Sequence, residues 1–269
     1  MANKYSGIIF DYGGTLDTRG DHWSEVIWDG YRHESVPVGK QAFRDAYVYA
    51  ERVLAVNPVV KADFHFADIL RAKIRLQLAF LSGRELLHTG KDDAEKQKQL
   101  GSLLEFTDEQ IEITAARMAD YINGITNCLL NENRSVLEYL HRKGLPMVLV
   151  SNFYGNISTV LRDASMDIFF QKVIESAVVG VRKPNPAIFA LGVCALDMPC
   201  SEVLVVGDSY SKDIVPAKDL GCHAVWIKGR QWENVVCDES ICDAVVTRLS
   251  DIEHFIQSDC YWRNPELVL

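Results

Sequence analysis

Six short runs of this chain are apolar almost from end to end, and nothing else in the sequence constrains the fold as much. They are Ser6–Phe10 and the runs within "LPMVLVSN", "KVIESAVV", "EVLVVGDS", "CHAVWIKG" and "DAVVTRL". A strand with one wet face alternates apolar and polar residues; a strand covered on both faces does not. Between the later runs lie helical patterns near Ile157–Ala164, Pro186–Leu196, Ile214–Leu220 and Ile252–Ile256. Strands alternating with helices predict an α/β fold with a parallel sheet covered on both sides. The first run must join that sheet, since one strand cannot stand alone.

The first run is cut off from the others by about a hundred residues of different character. His22–Glu34, Lys40–Leu54, His65–Leu81 and Asp108–Ile122 carry apolar residues at helical spacing. Thr107 before "DEQI" reads as a helix N-cap, and Asp63 is placed to cap the helix near His65. "LHTGKDDAEKQKQ" reads as a solvated loop or helix face. A further helix, Asn133–Lys143, ends at Gly144. The expected organisation is a Rossmann-like core of residues 1–17 and 128–269, interrupted by an all-helical insert over 18–127. The tail "DCYWRNPELVL" is apolar enough to pack on the body.

Ligands of doubly wound sheets sit at the carboxyl ends of the strands. Here the first strand ends in "IIFDYGGTLDT", on Asp11 and then a glycine turn. The second ends on Ser151 and Asn152. The third is followed by "GVRKPNP", with Lys183. The fourth ends on Asp208, with Asp213 five residues on. Taken singly, each is an ordinary cap or turn residue; in this order, each at a strand end, they read as one site. Such a set supports phosphoryl transfer to a carboxylate, with Asp11 as nucleophile. An anion attacking a phosphate dianion needs charge neutralisation, which Mg2+ supplies through oxygen ligands. Asp11, Asp208, Asp213 and the backbone carbonyl of Gly13 are the candidate ligands. Lys183 would bind both phosphate and nucleophile. Ser151, Asn152 and the turn residues Gly14 and Thr15 would complete the phosphate-binding set.

"IIFDYGGTLD", "VLVSN", "VRKPNPAIF" and "VLVVGDSYSKDI" together resemble the haloacid dehalogenase (HAD) superfamily of hydrolases, in the superfamily's order. The resemblance implies Asp11 as nucleophile, Ser151 as phosphate-binding hydroxyl, Lys183 as the cation, and Asp208 with Asp213 as the acidic pair for Mg2+. It also implies that the insert is a cap domain that closes over the site and chooses the substrate. One position departs. Phosphatases of the superfamily carry a second aspartate two residues after the nucleophile, as acid and base; here that position is Gly13. General acid–base catalysis contributes roughly 10²–10⁴-fold. Asp17, His22 and Glu25 are the nearby groups that could take it over.

Formal charge is −9, from 28 Lys and Arg against 37 Asp and Glu. That disfavours nucleic acid, whose phosphates call for clustered cations, but leaves room for a small phosphorylated substrate. No apolar run approaches the ~18 residues of a membrane span, and "MANKYSG" opens no signal peptide. Seven cysteines without a CxxC pair read as reduced thiols of a cytoplasmic protein. The expected activity is Mg2+-dependent hydrolysis of a small phosphorylated metabolite through an aspartyl-phosphate. The alternatives are a C–halogen hydrolase using the same nucleophile without metal, and a non-catalytic regulatory protein that keeps the Mg2+–phosphate pocket. Neither a Schiff-base lysine nor a halide cradle is found in the sequence. It does not disclose the oligomeric state.

Overall fold

A computed structural model describes residues 5–84, 87, 91–232 and 236–261. Residues 1–4, 88–90 within the polar stretch and 262–269 of the tail lie outside the described residues. The first apolar run forms β1 (Gly7–Phe10), and every residue of it is buried. The other five runs form β2 (Met147–Ser151), β3 (Lys172–Glu175), β4 (Val203–Gly207), β5 (His223–Ile227) and β6 (Ala244–Val246). All pairings are parallel, in the order β3-β2-β1-β4-β5-β6. β1 therefore lies inside the sheet, with Ile9 facing Val148 on one side and Val205 on the other.

The helices are α1 (Trp23–His33), α2 (Lys40–Val56), α3 (Phe66–Leu81), α4 (Lys91–Leu100), α5 (Asp108–Arg142), α6 (Ile157–Asp163), α7 (Ser176–Val179), α8 (Ala187–Leu196), α9 (Val215–Asp219) and α10 (Asp251–Tyr261). Thr107 does cap α5: its hydroxyl accepts the Gln110 N–H, and Gln110 answers with its side-chain oxygen on the Thr107 N–H at 2.8 Å. Three expectations need correcting. The helices expected at Asp108–Ile122 and Asn133–Lys143 are one 35-residue helix, because the intervening "NGITNCLLNE" holds one glycine and no proline to break it. "KVIESAVV" stays extended only to Glu175; its second half turns into α7, which ends on Gly180 in a left-handed conformation. α3 starts from His65, whose N–H is accepted by Asp68 at 3.0 Å, and not from Asp63.

Two compact units result. The first comprises the described residues of Met1–His22, Asn127–Phe153 and Leu161–Leu269. Its core is built on the sheet. Ile9, Val148, Val150, Val203 and Val205 pack beneath Ile188, Phe189 and Val193 of α8. α8 comes in closest at Gly192, where a Cβ would lie 2.8 Å from Ile9 Cδ1. At the other end, Asp243 takes the Ala224 N–H at 2.9 Å and pairs with Lys218 and His223, which fixes β6 beside β5.

The second unit comprises the described residues of Trp23–Thr126 with Tyr154–Val160. Its aromatic residues pack on one another: Tyr31 against Phe43 at 4.9 Å, Trp28 against Phe43 at 5.1 Å and Trp23 against Phe66 at 5.2 Å. The Tyr154–Val160 segment is held by polar anchors. Tyr154 donates to Glu51, Asn156 to the Phe64 carbonyl and Thr159 to the Ala62 carbonyl, at 3.0, 2.8 and 2.9 Å. Glu51 also pairs with the buried Lys73 at 2.6 Å. No described helix is long and apolar enough to cross a membrane.

Ile9 is fully buried at the contact of β1 with α8. Ile9→Ala should lower unfolding free energy by about 3 kcal/mol, through lost transfer energy and an unfilled cavity. Urea unfolding of the two proteins checks it, and a loss below about 1 kcal/mol would place Ile9 outside the core.

Candidate active site

The strand order gives the site its location. From β1 the chain runs outward through β2 to β3 on one side, and through β4 to β5 and β6 on the other. That reversal leaves a crevice at the carboxyl ends of β1 and its neighbours. Asp11 follows β1, Ser151 closes β2 and Asp208 follows β4. Asp213 comes from the turn Tyr210–Ile214, and its carboxylate returns to accept the Ser209 N–H at 2.9 Å. It fits against the end of β4 because residue 207 is glycine: a Cβ there would lie 2.4 Å from Asp213 Cβ.

These side chains meet. Lys183 Nζ lies 2.6 Å from Asp11 Oδ1 and 2.7 Å from Asp213 Oδ1. One carboxylate oxygen from each of Asp11, Asp208 and Asp213 lies within 4.8 Å of the others. The Thr15 hydroxyl is 3.5 Å from Asp11 Oδ2 and 3.4 Å from Asp208 Oδ1. All five residues, and Ser151, are buried. Gly14 passes under Asp208 so closely that a Cβ would lie 2.3 Å from its carboxylate, and its φ of +97° suits only glycine. Thus Asp11, Thr15, Lys183, Asp208 and Asp213 are brought together, with Gly14 against them.

Other expected residues have different contacts. The Asn152 side chain is used on the backbone of Lys183, accepting its N–H at 2.9 Å and donating to its carbonyl at 3.1 Å. Asn152 thereby holds the lysine's loop. The Asp17 carboxylate accepts the Gly14 N–H at 2.6 Å. His22 has its ring 5.6 Å from that of Trp232 and donates its N–H to the Arg230 carbonyl. Glu25 belongs to the helical unit and pairs with Lys40 at 2.6 Å. One contact had no signal in the sequence: Trp226 Nε1 donates to the Asp208 carbonyl at 2.7 Å, from β5.

Three carboxyls and one ammonium leave a surplus of negative charge in a buried space. Burial pushes the Asp11 carboxyl up to about 6; the Lys183 charge pulls it down and the Asp213 charge pushes it up. Asp208 is held well above the ordinary carboxyl value, by burial first and then by Asp213 and Asp11. Burial lowers the Lys183 pKa, but the two carboxylates outweigh it and hold the ammonium charged. Clustered hard oxygen donors with uncompensated charge fit a divalent cation of the Mg2+ type.

Comparison with known proteins agrees with this geometry. The haloacid dehalogenase-like hydrolase family matches residues 5–221. The chain belongs to that family. Among curated members it is similar to the haloacid dehalogenase-like hydrolase domain-containing protein 3 of Xenopus laevis, with 25% identity over 71% of this chain and 78% of that one. It is also similar to a phosphoserine phosphatase of Thermus thermophilus, with 32% identity over 37% of this chain and 40% of the relative. This second match thus spans less than half of the relative. A crystal structure described as a predicted phosphoglycolate phosphatase from Haemophilus somnus shares the fold. Its TM-score is 0.54 at 19% identity, covering 95% of this chain and 99% of that one. The HAD fold and the standing of this chain as a hydrolase of the family are thereby established.

The raised Asp208 carboxyl has a measurable consequence. Its native pKa lies above the unfolded value, so the native state binds more protons and stability falls as pH rises. Asp208→Asn removes that dependence. In chelator, the variant should melt above wild type at pH 8 by several degrees, with ~2–4 °C for each kcal/mol, and the gap should close towards pH 5. Thermal unfolding across that range checks it; a constant gap would mean that Asp208 is not destabilised by ionisation.

Proposed function

We propose that this HAD hydrolase is a Mg2+-dependent phosphatase of small phosphorylated metabolites, working through an aspartyl-phosphate on Asp11. The observation that carries the proposal is the buried contact of Lys183 with Asp11 beside two further carboxylates. The phosphatase relatives lend weight to it. Asp11, Asp208, Asp213 and the Gly13 carbonyl would hold the ion. When bound it neutralises phosphate charge and aligns the phosphoryl group.

In this reading Lys183 keeps Asp11 ionised and fixed, with Oδ1 on its ammonium. An Asp11 carboxylate oxygen attacks phosphorus, the P–O bond to the leaving group breaks, and the acyl phosphate forms on Asp11. Water then attacks that phosphorus, the Asp11–phosphate bond breaks, and inorganic phosphate leaves. Ser151 and Lys183 receive the phosphoryl oxygens; the Gly14 N–H, expected in that role, is taken by Asp17 and the Thr15 N–H by the Tyr12 carbonyl. Asn152 serves by holding the Lys183 loop.

Gly13 sets the limits of the chemistry. It offers no side chain to protonate a departing oxygen. Asp17 is engaged with Gly14, and Glu25 with Lys40. The reaction so described suits leaving groups that depart without a proton, acyl phosphates above all. Rates on acyl phosphates should exceed those on sugar phosphates by about 10²-fold or more. Steady-state kinetics on one member of each class checks this, and equal kcat/KM values would show that another acid has been recruited.

Asp11→Asn should abolish turnover of an acyl or aryl phosphate, and EDTA should abolish it in the wild type. Phosphate release with and without chelator measures both. A variant that stays fully active would exclude the covalent route. Chelator-resistant release of halide from a 2-haloacid would favour the dehalogenase reading.

A further inference from the structure

Gly13 and Gly14 stand in series, the two residues with the widest backbone freedom the chain could place there. No side chain of their own can fix the peptide group between them. It is nevertheless fixed from outside. The buried Asp17 carboxylate accepts the Gly14 N–H at 2.6 Å. The carbonyl of Gly14 is taken by two donors, the Thr18 hydroxyl at 2.7 Å and the Gly20 N–H at 2.9 Å. The Thr18 hydroxyl proton is shared with the carbonyl of Asp21, 3.0 Å away. The Asp21 carboxylate receives the Arg230 N–H, Nε and Nη2 at 2.7, 2.9 and 2.7 Å.

The Gly13 carbonyl and the Gly14 N–H are opposite ends of one peptide group. That group is trans, so its C=O points opposite to its N–H. Tying the N–H to Asp17 turns the Gly13 carbonyl away from Asp17. We propose that Asp17 is the positioning residue for the Gly13 carbonyl, holding it ready as an oxygen ligand for the divalent cation beside Asp11 and Asp208. The proposal rests on the metal-dependent reading above. It assigns Asp17 a hydrogen bond to the backbone rather than proton transfer to the substrate. It also explains how a turn with two glycines keeps a defined shape against Asp208.

The test compares wild type with Asp17→Asn, Asp17→Ala and Asp17→Glu. Calorimetry gives the Mg2+ dissociation constant, and amide exchange by NMR reports on Gly14 in the metal-free protein. Asn keeps an acceptor oxygen in the same place without the charge. Its Mg2+ affinity should stay within about threefold of wild type, and the Gly14 amide should stay protected. Ala should weaken Mg2+ binding by ~10–100-fold, with loss of that protection. Should Ala fail to fold, Glu replaces it: it keeps the charge but displaces the acceptor, and should bind Mg2+ more weakly than Asn. The role of Asp17 is overturned if Ala binds Mg2+ as wild type does, or if Asn is as weak as Ala or weaker than Glu. Wild-type protein that binds no Mg2+ overturns the metal-dependent reading itself, and the Asp17 proposal with it.

Discussion

A single ammonium organises the centre of this molecule. Lys183 sits between Asp11 and Asp213, with both ion pairs shorter than 2.8 Å and all three groups out of water. Ion pairs of this kind seldom add net stability, because desolvation offsets the attraction, but removing one partner leaves a buried charge at a cost of about 3–5 kcal/mol. The pairs are therefore best understood as a constraint. The lysine has to enter from the loop before α8, the first aspartate from β1, and the second from the turn after β4. The Asn152 side chain closes on the Lys183 backbone to hold the entry angle. The Phe189 ring, 5.1 Å from the ammonium, lines its apolar side.

The lysine does not balance the charge of the site. Asp208 adds a third carboxyl within reach of the other two, and burial makes its ionisation costly. A protein gains nothing in stability from such an arrangement. Buried groups with perturbed protonation are commoner at functional sites than elsewhere, and the order of the strands puts this one at the place where parallel sheets bind ligands. The Trp226 contact with the Asp208 backbone shows that the next strand also takes part in holding it.

The turn after Asp11 obeys a different constraint. Asp208 approaches Gly14 too closely for any side chain there. Glycine at 13 as well leaves the peptide group between them without a side chain of its own to fix it. Asp17, Thr18 and Gly20 supply support from the following residues.

The sheet could be read from the chain because burial on both faces forces continuous apolar runs, and a carboxylate after such a run is conspicuous. Asp11 and Asp208 stand out for that reason, and the structure brings them together with Lys183 and Asp213. The continuity of α5 through Asn127 was hidden by a polar stretch that looks like a boundary yet contains no breaker. The packing of Tyr154–Val160 with the helical unit was hidden too, since its anchors at Glu51, Ala62 and Phe64 lie about a hundred residues away. By itself, then, the sequence determined which residues are buried strands and which polar groups end them, because period and burial are local properties. Only the tertiary structure decided which of those groups touch. Asn152 went to the lysine loop, Asp17 to Gly14 and Trp226 to Asp208, because a hydrogen bond is settled by distances of a few tenths of an ångström that no spacing along the chain specifies.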